Sequence, residues 1–273
     1  MKKYVIFPYI FWSILFIVVP LILVLIFSIT IKANENLVFS LDNFKRFLEP
    51  VYIKVLTRSL TLALISTIIC LILGYPAALI LSKEVTNKRN ILIILFIVPM
   101  WMNFLLRTYA WMTILGKNGL INNFLSWTGL PTMNLLYNNG AVILGMVYNF
   151  LPFMVFPIYT VLNKMDKSVI EAAKDLGANK LKVFLKVVFP LSLPGVTAGI
   201  TMVFMPAVST FVISRLLGGG QYMLIGNLIE QQFLFVGDWN FGSALSLIMM
   251  IMILISMALM SKYDRKDGGQ GLW

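Results

Sequence analysis

Residues 4–31 run for 28 positions without a charged side chain, more than the roughly 20 residues that a helix needs to cross the hydrocarbon of a bilayer. Lipid offers backbone groups no water to bond, so a run of this length must satisfy its own N–H and C=O groups as a helix. The pattern then repeats. Apolar stretches at residues 59–81, 91–115, 141–162, 191–214 and 241–260 are separated by polar connections. With 59% hydrophobic residues, 12% charged residues and a mean hydropathy of +0.89, little is left from which to build a soluble domain. The expected class is all-α, a polytopic membrane protein with six transmembrane helices forming a single domain over residues 1–273. Residues 4–31 read as an uncleaved span, being longer than a signal-peptide core and lacking a small-residue cleavage site.

The net charge of +11 would suggest nucleic acid in a soluble protein. Here the basic residues follow membrane orientation instead, because cytoplasmic loops of membrane proteins collect Lys and Arg. With both termini inside, the inner segments hold Lys2, Lys3, Lys83, Lys88, Arg89, Lys164, Lys167, Lys174, Lys180, Lys182, Lys186, Lys262, Arg265 and Lys266, which is 14 of the 22 basic residues. Cys70 is the single cysteine and histidine is absent, which argues against a disulfide framework, a thiol metal site and imidazole acid–base chemistry. The carboxylates are scattered, so no metal site and no catalytic residue is expected. A secondary transporter would call for ion-relay acids within the spans, and the expected spans contain none.

Most of the specific chemistry lies in residues 168–190, SVIEAAKDLGANKLKVFLKVVFP. Ser168 followed by Glu171 fits a capping box, predicting a short helix from Val169. Gly177 stands where a left-handed residue would close it. Asn179 is placed to cap a second helix, with Leu181, Phe184, Leu185 and Val188 at helical spacing, and Pro190 is expected to end or kink it. Two short amphipathic helices at an elbow, tethered to spans on both sides, form a knob suited to a groove on a soluble partner.

This spacing resembles the signature of bacterial ABC importer permeases: Glu171, Ala172, Ala173, then Gly177, then Val187, Phe189 and Pro190. Further stretches at residues 105–125 and 216–246, with SLDNFKRFLEPVY near Ser40, resemble spermidine/putrescine permeases of the PotB type. The resemblance implies the type I importer fold, a second homologous permease subunit, two ATPase subunits and an extracytoplasmic polyamine-binding protein, in the bacterial inner membrane. No Gly-x4-Gly-Lys-Ser/Thr loop is present, so ATP and Mg are expected on the partner ATPase and no cofactor on this chain. Coupling to the ATPase would rest on Glu171, Ala172, Ala173, Leu176, Gly177, Lys180 and Pro190. Permeases for other small polar solutes share much of this plan.

A polyamine needs carboxylates or aromatic faces to offset its lost hydration. The candidate contacts are Tyr109, Trp111, Tyr148 and Asn149 in the spans, with Glu230 and Asp238 near an outer gate. The partner permease is expected to supply most of the acids. The plainer reading makes the aromatics interface anchors and has the two acids balance Arg107 or Arg215. Arg107 on a straight third helix would sit 16 residues from its inner end, about 24 Å by helical rise, from where it would snorkel outward.

Overall fold

The computed structural model describes residues 2–33, 36–84, 87–220 and 222–266. The expected loop at residues 82–90 and the polar tail lie partly outside the described residues. α1 (Lys2–Ser13) passes through a π-turn (Ile14–Val18) into α2 (Val19–Ser28), and β1 (Thr30–Ala33) pairs antiparallel with β2 (Asn36–Phe39). α3 (Asp42–Phe47), α4 (Pro50–Lys83), α5 (Asn87–Trp101), α6 (Phe104–Leu115), α7 (Leu120–Trp127) and α8 (Asn139–Lys164) follow. Next come α9 (Lys167–Asp175) and α10 (Lys180–Val183), which a π-turn (Phe184–Val188) joins to α11 (Phe189–Ser209). α12 (Val212–Gly218), α13 (Ile225–Gln231) with its π-turn (Gln232–Val236), and α14 (Trp239–Lys266) complete the chain. Among the described residues five helices are long and apolar enough to cross a membrane, and six if one bent pair counts as a span.

The core is where α4, α8 and α11 pack together. α4 buries a stripe of mostly small residues at helical spacing, Ser59, Ala63, Ser66, Thr67, Cys70, Gly74 and Ala78 among them. Small side chains let helix backbones approach closely where lipid provides no hydrophobic drive for association. Met154 of α8 is fully buried between the two neighbouring helices. A Cβ on Gly74 of α4 would come 2.9 Å from its Cγ, and one on Gly199 of α11 2.8 Å from its sulfur. Gly195 lies flat against backbone, with Pro157 O 2.9 Å and Ile158 Cα 3.0 Å from the position of a Cβ. Tyr75 of α4 and Ser192 of α11 share a hydrogen bond of 2.8 Å, which satisfies two buried hydroxyls at once in an apolar environment.

Several expectations are corrected. The third span is not a rod: Arg89–Trp101 and Phe104–Trp127 meet at 94°. Pro99 cannot donate to the preceding turn, and Asn103 starts a new helix by accepting from the Leu105 N–H at 2.8 Å. A straight-helix depth for Arg107 therefore has no meaning. Between α2 and the membrane-length part of α4 the chain forms the β-hairpin, α3 and the first turns of α4. Pro190 neither ends nor breaks its helix. The π-turn before it re-routes the ladder, with the Phe189 N–H donating to Phe184 O, and the helical run continues from Lys180 to Ser209. Residues 225–236 are helical, as α13 and its π-turn. α13 is folded inward, burying Ile225, Gly226 and Leu228.

Side-chain amides tie the polar end together. The last carbonyls of α2 have no helical partner. Asn43 donates to Ser28 O at 3.3 Å and to Thr30 O at 2.9 Å. Asn240 donates to Phe27 O at 3.1 Å and to Thr30 O at 2.8 Å. Ser59 accepts from the Ile225 N–H at 2.8 Å, holding the start of α13 on α4.

Candidate functional site

Two polar regions stand at opposite ends of α11. The first is the hairpin of α9 and α10. Its cap differs from the expected box: Asp166, not Ser168, opens α9, its carboxylate accepting from the Ser168 N–H at 2.9 Å. Aspartate at this place also meets the positive end of the helix dipole. Hydrogen bonding from Ser168 holds the Asp166 carboxylate below its ordinary value. Glu171 is consequently exposed and free to face outward. Gly177 has φ +79° and nothing within 4 Å of where a Cβ would stand, so conformation and not crowding demands glycine. Its N–H donates to Lys174 O at 2.8 Å and the Ala178 N–H to Ala173 O at 3.1 Å, the paired bonds of a Schellman closure. Asn179 caps α10 as expected, accepting from the Lys182 N–H at 2.8 Å.

No residue of α9 is buried. Leu176 at the elbow is 88% exposed, and Ala172, Glu171 and Lys180 are exposed beside it while Ala173 is half-buried. The second arm is anchored more firmly. Phe184 and Phe189 each stand 5.8 Å, ring to ring, from Tyr75 of α4, and Pro190 follows at the surface. Sequence reasoning missed Tyr75, Ser192 and this aromatic cluster. Nothing local marks a tyrosine in an apolar run as the seat of a distant hairpin.

The second region is the end built by α12 and α13. Arg215 forms an ion pair with Glu230, as the plainer reading expects. Asp238 pairs with Arg46 at 2.7 Å, not with Arg107 or Arg215, and its other oxygen accepts from the Phe241 N–H at 3.0 Å at the start of α14. The Arg46 guanidinium lies 4.1 Å from the centre of the Phe241 ring. Gly219, with φ +63°, lies under the Tyr137 ring, which leaves no room for a Cβ. A cavity of about 420 Å³ opens among Ser214, Arg215, Tyr222, Asn227, Gln231 and Phe235.

Between these ends the structure brings some span candidates together. Trp111 and Tyr148 meet edge to face at 5.4 Å. Asn149 is buried one position on, its amide donating to Gly145 O at 2.8 Å while its Oδ1 has no partner. Tyr109 points elsewhere on α6 and is exposed. Arg107 does not snorkel. It is only 8% exposed, its Nε has no partner, and no carboxylate among the described residues pairs with it.

Comparison with known proteins agrees with this architecture. Residues 63–266 match the family model described as the binding-protein-dependent transport system inner membrane component. The spermidine/putrescine transport system permease protein PotB of Escherichia coli (strain K12) is 42% identical over 253 residues, covering 89% of this chain and 92% of that protein. PotB of Haemophilus influenzae is 39% identical, covering 86% and 84%. Among solved structures, a chain of a bacterial ABC transporter involved in the import of the acidic polysaccharide alginate superposes with a TM-score of 0.84 at 16% identity, covering 98% of this chain and 96% of that one. The chain thus belongs to the inner membrane components of binding-protein-dependent transport systems, the permease subunits of ABC importers.

Proposed function

We propose that this chain is the permease subunit of a polyamine importer, passing spermidine or putrescine into the cytoplasm by alternating access. The observation that carries the substrate is the 42% identity to PotB across 89% of the chain. The exposed α9–α10 hairpin supports the energetics of this reading. It offers Leu176, Glu171 and Ala172 to another chain, while its second arm is fastened to the core through Phe184, Phe189 and Tyr75. A push on the elbow would thus reach α4 and α11 without first deforming the hairpin. In this reading two ATPase subunits seat on the two hairpins of a permease pair and carry ATP and Mg, an extracytoplasmic binding protein delivers substrate at the α12–α13 end, and this chain catalyses no reaction itself.

Trp111, Tyr148 and Asn149 supply aromatic and amide contacts along the route, and the second permease supplies most of the acids. Glu230 and Asp238 serve the outer gate. Both termini and the hairpin face the cytoplasm. In a Cys70→Ala background, cysteines at Lys174 and Lys117 should react with an impermeant thiol reagent from opposite sides. Reaction of both from outside would invert or discard the topology. The substrate is tested by uptake of labelled spermidine, putrescine and a neutral control solute into vesicles holding the purified complex. Uptake of the neutral solute alone would overturn the polyamine reading.

A further inference from the structure

The cavity at the α12–α13 end is walled by two aromatic rings, and an arginine already lies against each. The Arg215 guanidinium is 6.0 Å from the centre of the Phe235 ring, and that of Arg58 is 5.3 Å from the Tyr222 ring. Both distances fall within the reach of a cation–π contact. Arg215 lines the cavity and takes Glu230 as its counter-ion. The two sides of that pair differ in setting: the carboxylate side chain is 13% exposed and the guanidinium side chain 47% exposed. An acid held in place, covered by a cation that solvent can reach, is arranged for exchange. Solvent reaches and screens the arginine side of the pair, so a second cation entering the cavity beside Arg215 competes with it for the carboxylate behind. Asn227 and Gln231 add amide groups to the same wall, and the volume of about 420 Å³ falls within the range of small-molecule sites.

We propose that this cavity is an ammonium-binding subsite in which an amine group of the substrate displaces Arg215 from Glu230 and stacks on Phe235 and Tyr222. The two arginines are internal stand-ins that keep the site closed and charge-balanced when it is empty. A monovalent cation gains one contact, the one Arg215 gives up. A polyamine gains that contact and sets its remaining ammonium groups on the second ring or the amides, so exchange favours it over inorganic cations of similar charge. The inference rests on the polyamine reading and assigns that reading a location on this chain.

The test uses the assembled complex in vesicles, with labelled spermidine as the probe. Glu230→Gln, which keeps the shape and removes the counter-charge, is expected to raise the KM for spermidine about tenfold. Phe235→Leu should raise it about threefold. Arg215→Gln removes the competitor and is expected to lower the KM. That opposite sign is the decisive result, because a pair that only braces α12 on α13 would suffer in the same direction from either change. A charge exchange, Arg215→Glu with Glu230→Arg, gives a second reading: restored uptake indicates a brace and overturns the site, whereas continued impairment in an intact complex supports it. If wild type takes up spermidine and Arg215→Gln leaves the KM unchanged or raised, the site falls and the substrate stands. If wild type neither binds nor takes up spermidine, both fall.

Discussion

The two polar ends of α11 use similar parts under opposite constraints. Each is an elbow closed by a left-handed glycine, Gly177 at one end and Gly219 at the other. Around Gly177 there is open space, α9 buries nothing, and the bonds that hold the elbow join residues a few positions apart. Around Gly219 and Gly226 there is none. Tyr137 covers the first, and Ser209 O lies against the second. The ion pair and amide bonds of the second end span much longer stretches of chain, such as the 192 positions between Arg46 and Asp238. The hairpin is therefore a locally determined shape, which in the proposed reading is displayed for the ATPase. The opposite end is a tertiary assembly whose residues depend on one another. A change at the hairpin should be felt in coupling before folding, and a change at the opposite end in folding before coupling.

The most severe test is Gly226→Val, which drives a side chain into the Ser209 carbonyl and is expected to cost about 3 kcal/mol. Thermal unfolding of the detergent-solubilised complex should drop by many degrees. An unchanged midpoint would erase the contrast. Gly177→Val should cost about 1 to 2 kcal/mol through its left-handed backbone alone. Its expected signature is reduced substrate-stimulated ATP hydrolysis with the membrane core intact. Asp238→Ala removes both the Arg46 partner and the cap on α14, at about 1 kcal/mol, and should loosen α14 against α3 in amide exchange without altering ATPase docking.

Leu176→Ala and Glu171→Ala should each shift stability by no more than about 0.5 kcal/mol, because neither residue holds the fold. Leu176→Ala is nonetheless expected to weaken ATPase docking about three- to tenfold, measured by titrating ATPase subunits onto the immobilised permeases. Normal docking in both variants would remove the hairpin from the interface. The smallest effect concerns acid. Hydrogen bonds from Ser168 lower the folded value of Asp166, so its contribution to the cap is complete above the ordinary carboxylate value of about 3.9 and is lost as pH falls through the lower folded value. Protection of the first-turn amides of α9, corrected for intrinsic exchange, should fall from pH 5 to pH 3 in wild type and not in Asp166→Asn, which caps without titrating.

How far these features could be read in advance follows the same division. Gly177 and Asn179 were legible because a Schellman closure and an Asn cap are written within a few consecutive residues. The Ser168–Glu171 pair reads as the cap of α9, whereas Asp166 two positions earlier takes that place, its carboxylate accepting from the Ser168 N–H. Trp111 and Tyr148 were singled out separately, and only packing of α6 on α8 made them a pair. Arg107 was read along a straight helix that Pro99 and Asn103 had bent.

The sequence by itself determined that this chain lies in a membrane, that its spans are helices, and that Gly177 closes an elbow between two short helices. Each of these follows from the length of an apolar run or from bonds between near neighbours, and neither depends on what the distant chain does. Only the tertiary structure decided that Met154 is clasped between Gly74 and Gly199, that Asp238 belongs to Arg46 while Glu230 belongs to Arg215, and that Arg107 is buried with no carboxylate partner among the described residues. Those pairings depend on which helix faces are brought together, and an apolar stripe specifies that a face is buried without specifying what buries it.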